Sequence, residues 1–137
     1  MFFKKKEIKN NNFHTKICAL LIHAAKIDEN YTNEEEEIIK KTLKALGVEK
    51  EEISKIIRTA IEIEENSNQI LDFTREVKNL PEQDKIKILE SLWSIIYSNK
   101  YADIYETNLM RRLAGLLYID NKTMGDIKER VKKEYSE

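Results

Sequence analysis

Residues 17–47 read ICALLIHAAKIDENYTNEEEEIIKKTLKALG, and the spacing within this stretch decides the fold. Ile17, Leu20, Leu21, Ala24 and Ala25 recur at i, i+3, i+4, i+7 and i+8, the single stripe of an amphipathic helix. After a polar bend, Ile38, Ile39, Thr42, Leu43 and Leu46 repeat that spacing, and Gly47 supplies a stop. Within the bend, Thr32 is followed three residues later by Glu35, the sequence form of a capping box. The unit is helix, polar bend, helix.

The same reading extends outward. Ile53, Ile56, Ile57, Ala60 and Ile61 make a third stripe, and Ile70, Phe73, Thr74 and Val77 a shorter fourth. Pro81 is placed as the first residue of a fifth helix, with the stripe Ile86, Leu89, Leu92, Trp93 and Ile96. Leu109, Met110, Leu113, Ala114 and Leu117 form a sixth, and Thr123, Met124, Asp126, Ile127 and Val131 a capped seventh. No alternating strand pattern competes, and 3 glycines and 1 proline in 137 residues leave few interruptions. The expectation is an all-α single domain of six or seven helices over residues 13–137, preceded by a frayed segment over 1–12.

The stretch from Cys18 to Val48 resembles that from Leu89 to Ile119 at an offset of 71 residues. Leu21 meets Leu92, Glu35 meets Glu106, Leu46 meets Leu117, and Lys40-Lys41 meets Arg111-Arg112. Two helix-bend-helix units related by an approximate two-fold axis are therefore expected, with the third and fourth helices bridging them.

From Asp28 to Glu37 the chain carries six acids and no base, its strongest local charge feature. Hard oxygen ligands in such a cluster suit a divalent cation. Asp28 and Glu35 are the expected metal ligands at the first bend, and Asn99 and Glu106 their counterparts at the second. An EF-hand is excluded, because Asn33 stands where that loop needs glycine and Ile39 where it needs a bidentate glutamate. The competing reading is structural. Glutamates in a first helical turn face the positive end of the macrodipole, each contributing roughly 0.3–1 kcal/mol, and Lys40, Lys41, Arg111 and Arg112 are spaced to pair with them.

Other classes find fewer parts. His14 and His23 are not spaced as a helical ligand pair, and no nucleophile elbow, P-loop or dinucleotide fingerprint occurs among the glycines. Cys18, the only cysteine, lies in an apolar run, reads as a small buried hydrophobe, and suits a reducing cytoplasm. A net charge of −1 lacks the basic excess of a nucleic-acid binder. Phe2-Phe3-Lys4-Lys5-Lys6 offers at most a short membrane-surface contact, and no run reaches the roughly 18 apolar residues of a spanning helix. Tyr97, Tyr101, Tyr105 and Tyr118 gather around the second unit and read first as structural, with a partner groove as the alternative.

The arrangement Ala24-Ala25-Lys26-Ile27-Asp28, polar bend, Glu35, Ile38-Ile39 resembles the motif of the TerB-like (tellurite-resistance protein B) family. Trp93 to Asn99, through Tyr105-Glu106 to Arg111-Arg112-Leu113, is similar to that family's second copy. Glu29 and Lys100 stand where the family has glycine, and Asn99 where it has a second aspartate. The resemblance implies an all-helical fold with pseudo-two-fold symmetry, an acidic surface and a role in stress-response or metal-resistance systems, and it supplies no catalytic residues. The expected function is a non-enzymatic cytoplasmic module that binds a protein partner, with a divalent cation at the acidic bend as its only cofactor. The alternative is a metal-dependent hydrolase using the bend and His23.

Overall fold

The structure, a computed structural model, describes residues 2–26, 32–66, 71–75, 77–98 and 104–136. Helices α1 (Phe2–Ala25), α2 (Asn33–Ala45), α3 (Lys50–Glu65), α4 (Leu71–Thr74), α5 (Glu82–Ser98), α6 (Ile104–Leu116) and α7 (Asn121–Ser136) account for most of these, with a 3-10 turn at Val77–Asn79. The fold is all-α, as the periodicities require. The boundary expected at residue 13 falls inside α1, whose backbone is helical from Phe2 onward.

Two helices form the centre. Along α1 every residue from Ile17 to Ile22 is buried, and along α5 so are Ile88, Leu89, Leu92, Trp93, Ile95 and Ile96. A helix that is apolar on all sides must be covered on all sides. Here α1 packs against α3, α2, α4 and α5, while α5 packs against α7, α2 and α1. Each fully buried Leu or Ile contributes about 1.5–3 kcal/mol by leaving water. Polar links lock the layers in register: Trp93 Nε1 donates to Met124 Sδ at 3.3 Å between α5 and α7, and Thr42 Oγ1 meets Ser91 Oγ between α2 and α5.

The helix ends follow local chemistry. Gly47, at φ +94°, closes α2, with Val48 N–H donating to Leu43 C=O at 3.0 Å. A left-handed residue there satisfies carbonyls that the helix leaves open. The equivalent turn after α6 uses Tyr118 at φ +57°, with Ile119 N–H donating to Ala114 C=O at 3.0 Å. A non-glycine residue in that region is disfavoured by its Cβ. A buried lysine reinforces this end: Lys85, 9% exposed, donates from Nζ to Leu117 C=O at 2.9 Å, placing a cation at the negative end of α6. The same ammonium lies 6.0 Å from the centre of the Tyr118 ring.

Three expectations need correction. The fourth stripe is not one helix but the four-residue α4 and a separate 3-10 turn, because so short an apolar run cannot sustain a longer helix. Pro81 is not inside α5 but caps it, its carbonyl accepting the amides of Asp84 and Lys85 at 3.0 and 3.2 Å. The third helix does not bridge the two units. It packs chiefly on α1, as α7 packs on α5. Helices α2 and α3 have the same lengths, 13 and 16 residues, as α6 and α7, which begin 71 residues later.

Candidate functional site

At the acidic bend, Glu35 is the described member of the expected ligand set. Asp28 and Asn99 lie outside the described residues, and Glu106 is placed only as a backbone position in the first turn of α6. Thr32 and Glu35 form the reciprocal capping box that their spacing foretold. Thr32 N–H donates to Glu35 Oε1 at 2.8 Å, and Glu35 N–H donates to Thr32 Oγ1 at 3.1 Å. Two amides that an α-helix leaves without partners are thereby satisfied.

Glu35 has 0% exposure, whereas its neighbours Glu34 and Glu37 face solvent. A buried carboxylate must be hydrogen-bonded or neutralised to be tolerated, so Glu35 is more than a surface cap. Glu37 meets Lys40 at 3.6 Å, one of the ion pairs that the spacing allows, while Lys41 makes no ion pair among the described residues. No group of three or more His, Cys, Asp or Glu side chains gathers as a metal cluster among those residues.

The histidine of the hydrolase alternative has a different partner. His23 Nδ1 lies 3.3 Å from Glu64 Oε1, and the other Glu64 oxygen accepts from Lys26 Nζ at 2.7 Å. The carboxylate, only 10% exposed, ties the C-terminal end of α1 to that of α3. Forty-one residues separate His23 from Glu64, and no local spacing signals such a pair. Cys18 is fully buried, and that burial, with the charge of Glu36 as a lesser cause, pushes its thiol up to about 12. The thiolate that nucleophilic chemistry needs is thus scarce near neutral pH.

Of the tyrosines around the second unit, Tyr101 and Tyr105 lie outside the residues whose side chains are described. Tyr97 stacks on Trp93 with ring centres 5.8 Å apart, and Lys128 Nζ stands 5.4 Å from the Trp93 ring. Trp93 itself is core, as its helical register indicated. Tyr118 is 75% exposed and borders a small hollow of about 270 Å³ with Arg75 and Lys78.

One concavity was not foreseen. Between α2 and α3 runs an open groove of about 640 Å³ lined by Ile38 and Ile53, with Lys40, Lys41, Lys44 and Lys50 around it and Glu34 and Glu37 among its other walls. A smaller hollow of about 200 Å³ shares Lys40 and Ser54 with it and adds Ile57, Arg58 and Ile61. Lys41, Lys44 and Lys50 form no ion pair among the described residues. The sequence did hold a signal: Lys40, Lys41 and Lys44 fall at i, i+1 and i+4, one flank of a helix.

A family model described as tellurite resistance protein TerB matches residues 14–129, from near the middle of α1 into α7. No curated protein and no solved structure shows a significant match to the chain. With the match covering most of its length and an all-helical architecture beneath it, the chain belongs to the TerB family.

Proposed function

We propose that the chain is a non-catalytic TerB-type binding module that engages a protein partner through the flank of α2 facing α3. The observation that carries this reading is the groove between these helices. Its lysines Lys41, Lys44 and Lys50 are exposed and the half-buried Ile38 borders them, while Ile53 at its floor and the Ile39 and Leu43 side of α2 are buried. A patch combining apolar floor with charged rim is how protein interfaces are built. The candidate reactive groups already serve the fold: Cys18 is core, and His23 joins Glu64 and Lys26 in holding two helix ends together. The two units, read as related by an approximate two-fold axis, are supported by the matching lengths and offset of their helices. The lone buried cysteine supports a reducing cytoplasm as the place of work. No helix among the described residues is long and apolar enough to cross a membrane.

The test is affinity capture from native lysate with the wild type and with a Lys41→Glu, Lys44→Glu, Lys50→Glu variant. A protein retained by the first and lost by the second is expected. Equal recovery on both would contradict the reading.

A divalent cation at the acidic bend is a second reading, favoured by the full burial of Glu35. Asp28 would share the ion with it, and Glu106 with Asn99 would form the corresponding, less charged pair. Calcium or magnesium at millimolar concentration should then raise the melting temperature of the wild type, because a ligand above its dissociation constant stabilises the folded state. Asp28→Asn with Glu35→Gln should abolish the rise while keeping a side-chain acceptor for the capping box. An unchanged wild-type melting temperature would remove the cation.

A further inference from the structure

We infer that the occupant of the α2–α3 groove is an acidic amphipathic helix of the partner protein. This rests on the reading of the chain as a partner-binding module and specifies the chemistry of what it binds. Three features of the groove select that occupant.

The first is its floor. Ile53, Ile57 and Ile61 recur every fourth residue along α3, the first two nearly buried and the third half-buried. The half-buried Ile38 of α2 lines the groove with Ile53, leaving a narrow apolar strip. Eight residues of helix span about 12 Å, the length over which a bound helix would present apolar residues at i, i+3, i+4 and i+7. Two neighbouring helices offer a third helix the ridge-and-groove surface on which helices pack.

The second is its charge. Lys41 and Lys44 lie one turn apart on α2, and Lys50 opens α3 after the Gly47 turn, so one end of the groove holds three cations without an ion pair among the described residues. Lysine stems can lie along apolar surface while their ammonium groups stay in water. Carboxylates on both flanks of an apolar stripe would meet these ammonium groups as the stripe meets the isoleucines.

The third is its polarity. Glu34 and Glu37 line the groove at the N-terminal end of α2, and Lys41 and Lys44 lie toward its C-terminal end. A nucleic-acid backbone, uniformly negative, would be repelled at the acidic end and would leave the isoleucines without a partner. A helix with carboxylates at one end and a base at the other fits both, which also fixes the direction in which it lies.

The test is fluorescence anisotropy with a labelled synthetic peptide whose leucines follow the i, i+3, i+4, i+7 spacing, with glutamates on its flanks and a lysine at the end that meets Glu34 and Glu37. A composition-matched scrambled peptide, a lysine-flanked peptide and phosphatidylserine vesicles serve as comparisons. The patterned acidic peptide should bind the wild type, more weakly as salt rises, and at least about tenfold more weakly to the Lys41→Glu, Lys44→Glu, Lys50→Glu variant. Ser54→Trp, which fills the groove without changing charge, should weaken it as well, and unchanged circular dichroism of both variants would show that they fold.

Absent binding, equal binding of the scrambled peptide, or equal binding by both variants would overturn the inference. So would binding of the vesicles in place of the peptide, or a salt-sensitive self-association that the triple variant loses, which would make a second copy of this chain the occupant. A lysate partner lost by the triple variant but displaced by no acidic peptide would overturn this inference alone and leave the binding-module reading standing. Capture of nothing specific would overturn that reading.

Discussion

Replacing Glu35 separates its work as a helix cap from its negative charge. The side chain accepts the Thr32 amide at 2.8 Å from a fully buried position. A hydrogen bond to an ionised acceptor is worth about 1.5–3 kcal/mol, and a carboxylate in the first turn of a helix adds roughly 0.3–1 kcal/mol. Glu35→Ala removes both, for an expected loss of about 2–4 kcal/mol. In a chain of this size that corresponds to a fall in melting temperature on the order of 10 °C. Glu35→Gln keeps an acceptor in place and forfeits only the charge, about 1 kcal/mol. Thr32→Ala deletes the reciprocal bond to the Glu35 amide and should cost about 1 kcal/mol. The assay is urea unfolding followed by circular dichroism, in a chelator so that no cation contributes. If Glu35→Ala lies within about 0.5 kcal/mol of wild type, or Glu35→Gln is as damaging as Glu35→Ala, the capping account of this residue fails.

Lys85→Met preserves an apolar stem but strips the ammonium from the Leu117 carbonyl, and should destabilise by about 1–3 kcal/mol in the same assay, more than any exposed lysine replaced likewise. Asp120 is held below the ordinary aspartate range mainly by hydrogen bonds from Thr123, whose amide donates to Oδ1 at 2.6 Å. A depressed folded-state value means stability that is present above the unfolded-state value and lost as pH falls through the folded one. The stability difference between wild type and Asp120→Asn should therefore stay level near neutrality and shrink in acid; a difference that grows in acid would contradict this. Cys18 should resist a thiol reagent at neutral pH until the protein unfolds, so stoichiometric labelling of the native state would show the core to be open there.

Much of the architecture is legible because helices announce themselves by spacing. The stripes at Ile17, Ile38, Ile53, Leu89, Leu109 and Met124 each lie in a helix, and Thr32 with Glu35 gave the start of α2 as plainly as Gly47 gave its end. Tyr118 was opaque: it performs the task of Gly47 after α6, but its conformation is held by the surrounding turn and by Lys85, which approaches from another helix. Reading α3 as a bridge failed for a related reason, since a stripe says that a face is buried without saying against which helix. At the site, the capping role of Glu35 was written in its spacing, whereas its complete burial is a property of the folded chain that no local spacing states. Lys41, Lys44 and Lys50 come together only when the Gly47 turn folds α3 back beside α2, a juxtaposition of two helices that spacing along one of them does not state.

The most direct measurement is the amide chemical-shift map of the isotopically labelled chain as the patterned acidic peptide is added. Shifts concentrated at Lys41, Lys44, Lys50 and Ser54, saturating with peptide and suppressed by salt, are the predicted result. Shifts centred instead on the Arg75, Lys78 and Tyr118 hollow, or no localised shifts at all, would contradict it.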